Sequence, residues 1–180
     1  MNSVMPVRSL SKLKELKKYF RGKSERDYLL FLTGINTGLR ISDILQLRVR
    51  DVQGTYLAIK EQKTGKRKYI FIKPELRKVF RKYCKDMDNQ EYLFKSRSGN
   101  NKPIGRSMAY KIMRQAADHC GLEHIGTHTL RKTFGYHMYR QTKDVGMLME
   151  LFGHANQGIT MRYLGILQDE LDRVMRSFKI

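Results

Sequence analysis

The sequence predicts an α+β fold that is mostly helical and contains one small antiparallel β-hairpin. Apolar residues recur every three or four positions through both ends of the chain, which is typical of amphipathic helices. In the middle, two short β-prone runs at residues 55–60 and 68–72 flank a polar stretch around Thr64-Gly65-Lys66, which is typical of a hairpin. With 180 residues and 41% hydrophobic content, we expect one domain over residues 1–180.

Before the hairpin the sequence predicts three helices, at residues 10–20, 28–34 and 41–47. Arg21-Gly22-Lys23 is expected to break the first of them, because glycine is a poor helix former. Ser24 with Asp27 three residues later is typical of a helix N-terminus, and Gly34 is expected near the end of the second helix.

After the hairpin the chain is expected to be almost entirely helical. Pro74 suits the first position of a helix, and Gly121 suits the position just past the end of one. We also expect a short strand over residues 92–94 before a turn-rich loop. The predicted helices cover residues 74–83, 105–120, 128–140, 144–151, 157–164 and 166–178.

The charge indicates a polyanionic partner. The 36 Lys and Arg against 17 Asp and Glu leave a formal net charge of +19, spread along the chain without long charged blocks. Such a surface attracts nucleic acid first and an anionic membrane second. The sequence has no apolar run of about 18 residues to cross a bilayer and no signal peptide at its start. The two cysteines form no CxxC pair, so we expect a cytoplasmic protein without a disulfide framework.

Two arginine positions could bind an anion. Arg40 follows Gly38 at a predicted helix start, where a glycine lets backbone N–H groups approach a phosphate, and Asp43 could fix this arginine or cap the helix. His128 and Arg131 lie three apart and share one helix face, a pair that suits phosphate binding and proton exchange. Taken singly, each is better explained as an ordinary solvent-facing side chain.

Three further positions have two interpretations each. The basic hairpin tip, which carries Lys63 and then Lys66, Arg67 and Lys68, suits contacts with nucleic-acid phosphates, although one of its lysines could instead donate a proton. His154 after Gly153 and Tyr163 nine residues later complete the set. A tyrosine is most often a packing residue, but a phenol is also a competent nucleophile towards a phosphorus whose charge is neutralised.

In this order the residues form a pattern. The series Arg40, Lys63, His128-x-x-Arg131, Gly153-His154 and Tyr163 resembles the catalytic signature of the tyrosine recombinases, the phage integrase family. The segment TGLRISDILQLRVRDV resembles the first box of the family, and THTLRKTF with LMELFGHANQGITMRYL resembles the second. The resemblance extends from about residue 24 to residue 178.

The resemblance implies a mechanism. Tyr163 would attack a DNA phosphodiester and leave a 3′-phosphotyrosine and a free 5′-hydroxyl, while Arg40 and Arg131 would clamp the phosphate. Lys63, with Lys60, Lys66 and Lys68 as neighbouring candidates, would be the general acid. The other implied roles are proton transfer or a phosphate hydrogen bond for His128, a phosphate hydrogen bond for His154 and structural support for Asp43. The family needs neither a metal ion, nor ATP, nor another cofactor.

The resemblance also implies a domain organisation. Residues 1–23 would form a short basic arm and helix, residues 24–164 the catalytic core, and residues 165–180 a C-terminal helix that could dock on a neighbouring protomer. No separate core-binding domain is predicted, so the chain is either a naturally short recombinase or a catalytic fragment. The implied partners are double-stranded DNA and further copies of the chain in a dimer or tetramer. A catalytically inactive DNA-binding relative and a type IB topoisomerase are the open alternatives.

Overall fold

The computed structural model describes residues 4–63 and 65–179, and it confirms a mostly helical chain with one two-stranded antiparallel sheet. A short 3₁₀ turn, Val49–Val52, precedes the sheet. In chain order the elements are α1 (Leu10–Lys23), α2 (Glu25–Thr37), α3 (Ile41–Leu45), β1 (Tyr56–Lys60), β2 (Arg67–Phe71), α4 (Pro74–Tyr83), α5 (Arg106–His119), α6 (Thr127–Thr142), α7 (Val145–Phe152), α8 (Gln157–Leu164) and α9 (Ile166–Ser177).

Helix α1 does not break at Gly22, so that prediction was wrong. The helix continues to Lys23, and Ser24 in an extended conformation separates it from α2. The Ser24 side chain accepts the Asp27 backbone N–H at 3.4 Å, so the serine that ends α1 also caps α2. One glycine lowers helix stability by only about 1 kcal/mol, which the packing of the buried face of α1 offsets.

Helix α2 continues past Gly34 to Thr37, because this glycine serves helix packing and does not end the helix. A Cβ atom at Gly34 would lie 2.6 Å from Leu130 Cδ1, so α2 and α6 approach each other closely here. Gly38 ends α2 in the left-handed conformation, with φ of 63°. A Cβ there would lie 2.3 Å from Phe134 Cδ1 of α6. Both glycines bring the segment that carries Arg40 against α6.

The hairpin forms where it was predicted. Tyr56 pairs with Phe71 and Lys60 pairs with Arg67 in an antiparallel register. Leu57 is buried on the inner face, whereas Tyr56 and Phe71 are exposed on the outer face. The hairpin therefore covers the core with one face and leaves its basic tip at the surface.

The predicted strand over residues 92–94 is wrong. Tyr92 makes only an isolated bridge with Arg48, and Leu93 donates one backbone hydrogen bond to Leu47 O at 2.9 Å. Because its neighbours are loop segments that turn away after these contacts, no ladder extends from it. The predicted helices after the hairpin are present within one or two residues of the expected bounds.

Helix α6 lies between the main core and a smaller apolar cluster. A Cβ at Gly135 would lie 2.6 Å from Leu164 Cδ2 and 2.7 Å from Phe152 Cε2, so α7 and α8 also approach α6 closely. Leu148, Phe152 and Leu164 are at most 1% exposed in this cluster. The close contact places the ends of α7 and α8 beside the middle of α6.

The N-terminal arm, residues 4–8, lies along α6 before α1 begins. The Val7 backbone N–H donates to Thr133 Oγ1 at 2.9 Å, and Lys132 Nζ donates to Val4 O at 2.8 Å. At the other end of the chain, α9 buries Ile166 and exposes most of its remaining apolar side chains. Across residues 4–63 and 65–179, no helix combines the length and the apolar character needed to cross a membrane.

Candidate active site

Arg131 lies in the first turns of α6 and is only 4% exposed. Its Nη1 donates to Gly38 O at 2.6 Å and its Nη2 donates to Phe152 O at 3.1 Å. The guanidinium also lies 4.3 Å from the centroid of the Phe152 ring. A buried cation is costly unless it is hydrogen-bonded, so these carbonyl contacts both stabilise the charge and fix its position.

Arg40 lies next to Arg131, although 91 residues separate them in the sequence. Its Nη1 donates to Glu61 Oε1 at 2.9 Å, and its Nη2 lies 3.5 Å from Phe152 O. The Phe152 carbonyl therefore receives N–H groups from both arginines. This arrangement concentrates positive charge at one point, as an anion-binding site requires.

Tyr163 of α8 lies in the same cluster. Its ring centroid is 5.7 Å from that of Phe152 and 5.3 Å from that of His154, and Lys132 Nζ lies 5.0 Å from it. Burial raises the pKa of the Tyr163 phenol above its usual 10, while the Arg131 guanidinium acts in the opposite direction. The phenol is therefore protonated at neutral pH and lies beside the charge that would favour its ionisation.

The two histidines of the predicted site have lowered pKa values, which favour the neutral ring. The pKa of His128 is lowered from its usual 6.5 by partial burial and then by Arg131, Lys132 and Arg40. The pKa of His154 is lowered in the same way, by burial first and then by Arg131 and Arg40. His154 Nδ1 lies 3.0 Å from the hydroxyl of buried Thr160, which orients the ring.

Lys63 lies at the rim of a cavity of about 560 Å³ that also receives Arg40 and His128. The structure thus groups the six predicted catalytic residues in two adjoining sets. Arg131, His154 and Tyr163 surround Phe152, Lys63 and His128 line the cavity, and Arg40 belongs to both sets. The residues that line the cavity are Arg40, Ile41, Ser42, Gln62, Lys63, Arg106, Thr127 and His128.

The three predicted DNA-binding residues of the hairpin lie in two environments. Lys66 and Arg67 are exposed near the tip. Lys68 is turned inward, with Nζ 3.0 Å from Glu61 Oε1 and donating to Leu151 O at 2.8 Å. The Lys68 side chain therefore links the hairpin to the end of α7 by a hydrogen bond.

Sequence reasoning missed Glu61 and Arg106. Glu61 is only 3% exposed. Leu57 and Ile59 point inward from β1, and Glu61 follows at the same two-residue spacing. A carboxylate at a position where the alternation predicts an apolar side chain was therefore the available signal. Arg106 follows Gly105 at the start of α5 and lines the cavity, and no local pattern distinguished it from the many other basic residues.

Asp43 supports the hairpin with its side chain and contacts Arg40 through the backbone, where the Asp43 N–H donates to Arg40 O at 2.9 Å. Its Oδ1 accepts the Gln62 backbone N–H at 3.0 Å, and the residue is 3% exposed. This bond holds the backbone immediately before Lys63. Within residues 4–63 and 65–179, no group of three or more His, Cys, Asp or Glu side chains is arranged to hold a metal ion.

Comparison with known proteins shows the family of this chain. The profile of the phage integrase family matches residues 7–169, which is most of the chain. This chain belongs to the phage integrase family. The match includes the six predicted catalytic residues, and it begins within the N-terminal arm that lies along α6.

Curated relatives of this integrase family member differ in length. The probable integrase/recombinase YoeC of Bacillus subtilis strain 168 is 53% identical over 179 residues, which cover 99% of this chain and 98% of that protein. Tyrosine recombinase XerA of Pyrococcus horikoshii is 29% identical over 159 residues, which cover 86% of this chain and 55% of XerA. The chain therefore spans nearly the whole of YoeC but about half of XerA.

Solved structures share the fold of this integrase family member. A crystal structure of XerA recombinase matches with a TM-score of 0.74 at 22% identity, over 94% of this chain and 63% of that one. A XerH site-specific recombinase bound to its difH substrate, in a pre-cleavage complex, matches with a TM-score of 0.72 at 20% identity, over 89% and 51%. The fold is therefore that of a tyrosine recombinase catalytic domain.

Proposed function

We propose that this chain is a site-specific DNA recombinase that cleaves and rejoins strands through a 3′-phosphotyrosine intermediate. The observation that carries the proposal is the placement of the Tyr163 phenol against the buried Arg131, beside Arg40 and His154. A nucleophile, two planar cations and a hydrogen-bond donor in one cluster match what in-line attack on a phosphodiester requires.

Arg40 and Arg131 bind the non-bridging oxygens of the scissile phosphate in this mechanism. The pentacoordinate transition state carries more negative charge on these oxygens than the ground state does. Fixed cations stabilise it without reorganising, and losing one such contact lowers the rate by about 10²–10³-fold. His154, oriented by Thr160, adds a hydrogen bond to the same phosphate.

Proton transfers accompany both bond changes. The Tyr163 oxygen bonds to phosphorus while its proton passes to His128, which is neutral at pH 7 and can accept it. The bond from phosphorus to the 5′-oxygen breaks, and Lys63 protonates that oxygen. The 5′-hydroxyl of a partner strand then attacks the phosphotyrosine and reverses these steps. The covalent bond conserves the energy of the phosphodiester, so the proposal includes no ATP, metal ion or other cofactor.

Assembly on double-stranded DNA is part of the proposal. The exposed residues Leu171, Val174, Met175 and Phe178 of the α9 region, which are 55–69% exposed, are suited to docking on a neighbouring protomer in a dimer or tetramer. Residues 24–164 are the proposed catalytic core, and residues 4–23 are the arm and helix that pack beside it.

The decisive experiment uses a duplex with a nick one or two bases from the scission point, so that the cleaved end diffuses away and the adduct accumulates. Candidate sites come from a mixed-sequence pool and from repeats that flank the gene. Wild type, Tyr163→Phe and the control Tyr110→Phe, an exposed tyrosine of α5, are incubated with EDTA and then with SDS. We expect an SDS-stable adduct from wild type and Tyr110→Phe only.

Other outcomes separate the alternatives. Tight DNA binding without an adduct from any variant would contradict catalysis and favour an inactive DNA-binding relative. An adduct that depends on Tyr163 together with relaxation of supercoiled DNA, but without joining of two duplexes, would favour a type IB topoisomerase. A wild-type adduct that forms in a parallel incubation without EDTA but not in the incubation with EDTA would contradict the metal-independent mechanism.

A further inference from the structure

We infer that Glu61 is a positioning residue of this active site, which holds the Arg40 guanidinium and the hairpin that carries Lys63 in one fixed arrangement. The inference rests on the proposed function. The resemblance to known recombinases did not point to Glu61, and the residue contributes no group to the reacting phosphate in the mechanism above.

The Glu61 carboxylate binds two cations from different elements. Its Oε1 accepts from Arg40 Nη1 at 2.9 Å and lies 3.0 Å from Lys68 Nζ. The side chain of Glu61 is 3% exposed, and those of Arg40 and Lys68 are 19% and 20% exposed. A carboxylate this deeply buried is unfavourable unless it is paired, so its position beneath two cations is strongly specified.

The contacts of these two cations continue to α7. Lys68 Nζ donates to Leu151 O at 2.8 Å, and Arg40 Nη2 lies 3.5 Å from Phe152 O. Arg131 Nη2 donates to the same Phe152 carbonyl at 3.1 Å. The Glu61 carboxylate therefore connects the hairpin, the first arginine and the end of α7, which lies two residues before His154.

The backbone of Glu61 closes the loop that contains Lys63. The Glu61 N–H donates to Lys66 O at 2.9 Å, and the Gly65 N–H donates to Glu61 O at 2.8 Å. The following residue, Gln62, donates its N–H to Asp43. These backbone bonds persist when only the Glu61 side chain changes, so a side-chain variant isolates the effect on Arg40 and Lys68.

Charge also favours a carboxylate at this place. Arg40, Lys68 and Arg131 converge on two neighbouring carbonyl groups and would repel one another without an anion between them. Glu61 offsets part of this repulsion and engages one edge of Arg40 through Nη1. The rest of the Arg40 guanidinium, which lines the cavity, is then oriented for a phosphate.

The test compares Glu61→Gln with the control Glu91→Gln. The amide keeps the size of the side chain but removes its charge. Glu91 is a surface carboxylate that pairs with Lys95 at 2.9 Å, so its variant removes one ion pair outside the site. Single-turnover cleavage of the nicked duplex is measured at saturating DNA, with a normal phosphate and with a neutral methylphosphonate at the scissile position.

We expect Glu61→Gln to cleave the normal substrate about tenfold to a hundredfold more slowly than wild type, with little change in DNA affinity. On the methylphosphonate most of this defect should disappear, because that transition state carries less charge for Arg40 to stabilise. Arg40→Ala should show the same substrate dependence, and Glu91→Gln should match wild type on both substrates.

Each contrary result has a distinct meaning. An unchanged rate for Glu61→Gln, or an equal defect on both substrates, would overturn the inference while leaving the proposed function intact. If wild type itself forms no adduct with either substrate, the proposed function fails and the inference fails with it. If Glu61→Gln does not fold, Glu61→Asp is compared with wild type on the same two substrates. Aspartate keeps the negative charge, but its side chain is one methylene shorter, so its carboxylate lies farther from Arg40 and Lys68.

Discussion

Arg131 and Lys63 serve one proposed reaction from very different surroundings. Arg131 is 4% exposed, donates to the Gly38 and Phe152 carbonyls, and lies on a helix that α2 and α8 approach closely at glycines. Lys63 is an exposed residue in the loop of a two-stranded hairpin. The proposed charge-stabilising residue is thus built into the core, whereas the proposed proton donor is an exposed side chain in a surface loop.

This difference follows from chemistry. Cations that stabilise a transition state are most effective when they are fixed before the reaction begins. A general acid must reach a leaving oxygen on a large substrate, and a lysine on its flexible stem suits that task. Variants of buried Arg131 and of the exposed hairpin loop should therefore lose activity in different ways.

The largest effect is expected at Arg131. Arg131→Lys should lower single-turnover cleavage by about 10³-fold, because one ammonium cannot reproduce the planar fork that meets both carbonyls and the phosphate. The measurement is the rate of adduct formation on the nicked duplex. The control is Arg114→Lys, a surface arginine paired with Asp118 at 2.9 Å, and it should behave as wild type. A rate within tenfold of wild type for Arg131→Lys would contradict the proposed difference between buried Arg131 and exposed Lys63.

Lys63→Ala should lower the cleavage rate by about 10²-fold on ordinary DNA. A substrate with sulfur in place of the 5′-bridging oxygen should restore the rate, since a thiolate leaves without a proton. Lys66→Ala, at the same tip, should show no dependence on the leaving group. If the sulfur substrate rescues Lys66→Ala but not Lys63→Ala, the general acid has been assigned to the wrong lysine.

A smaller effect is expected from pH on DNA affinity. In the DNA-free protein the pKa values of His128 and His154 are lowered from 6.5, so both rings are neutral at pH 7. A bound phosphate raises these pKa values, so binding takes up protons and DNA affinity should increase as pH falls from about 7 towards 6, by up to about tenfold per pH unit for each linked histidine. Titration of DNA affinity with wild type and with His128→Gln/His154→Gln checks this.

The same shifts have the opposite effect on stability without DNA. The unfolded chain protonates these histidines near 6.5, whereas the folded chain does so only at lower pH. The unfolded state thus binds more protons in this window, and the free energy of unfolding should decrease as pH falls through it. A DNA affinity that does not vary with pH in wild type would contradict the prediction that a bound phosphate raises the pKa values of both rings.

The smallest effects are expected at the hairpin tip. Lys66→Ala and Arg67→Ala should weaken DNA binding for every sequence and should each reduce the slope of log affinity against log salt by about 1. The cleavage rate at saturating DNA should stay near that of wild type. Lys85→Ala, an exposed lysine after α4, is the control for general charge loss. An unchanged slope for both tip variants would place the DNA elsewhere.

Local patterns in the sequence predicted most helices and the hairpin, because apolar periodicity, Pro74 and Ser24 act within a few residues of themselves. The roles of the glycines were less predictable. Gly22 lies inside α1, where the packing of the opposite face outweighs its low helix propensity. Gly34 lies inside α2 because Leu130 of α6 packs directly against it, which the local sequence does not show. The absence of a strand at residues 92–94 also depends on tertiary neighbours, because a strand needs a partner segment that continues beside it.

The sequence by itself determined the residue types of the site and their order from Arg40 to Tyr163. Their spacing was enough to predict the family, which the match over residues 7–169 confirmed. Only the tertiary structure brought both arginines to the Phe152 carbonyl, turned Lys68 inward and buried Glu61 between two cations. The contacts of Arg40 with Glu61 and of both arginines with Phe152 join residues 21 to 112 positions apart, and these residues touch only after the core has packed. No short-range pattern records them, because their energies depend on burial and distance in the folded chain.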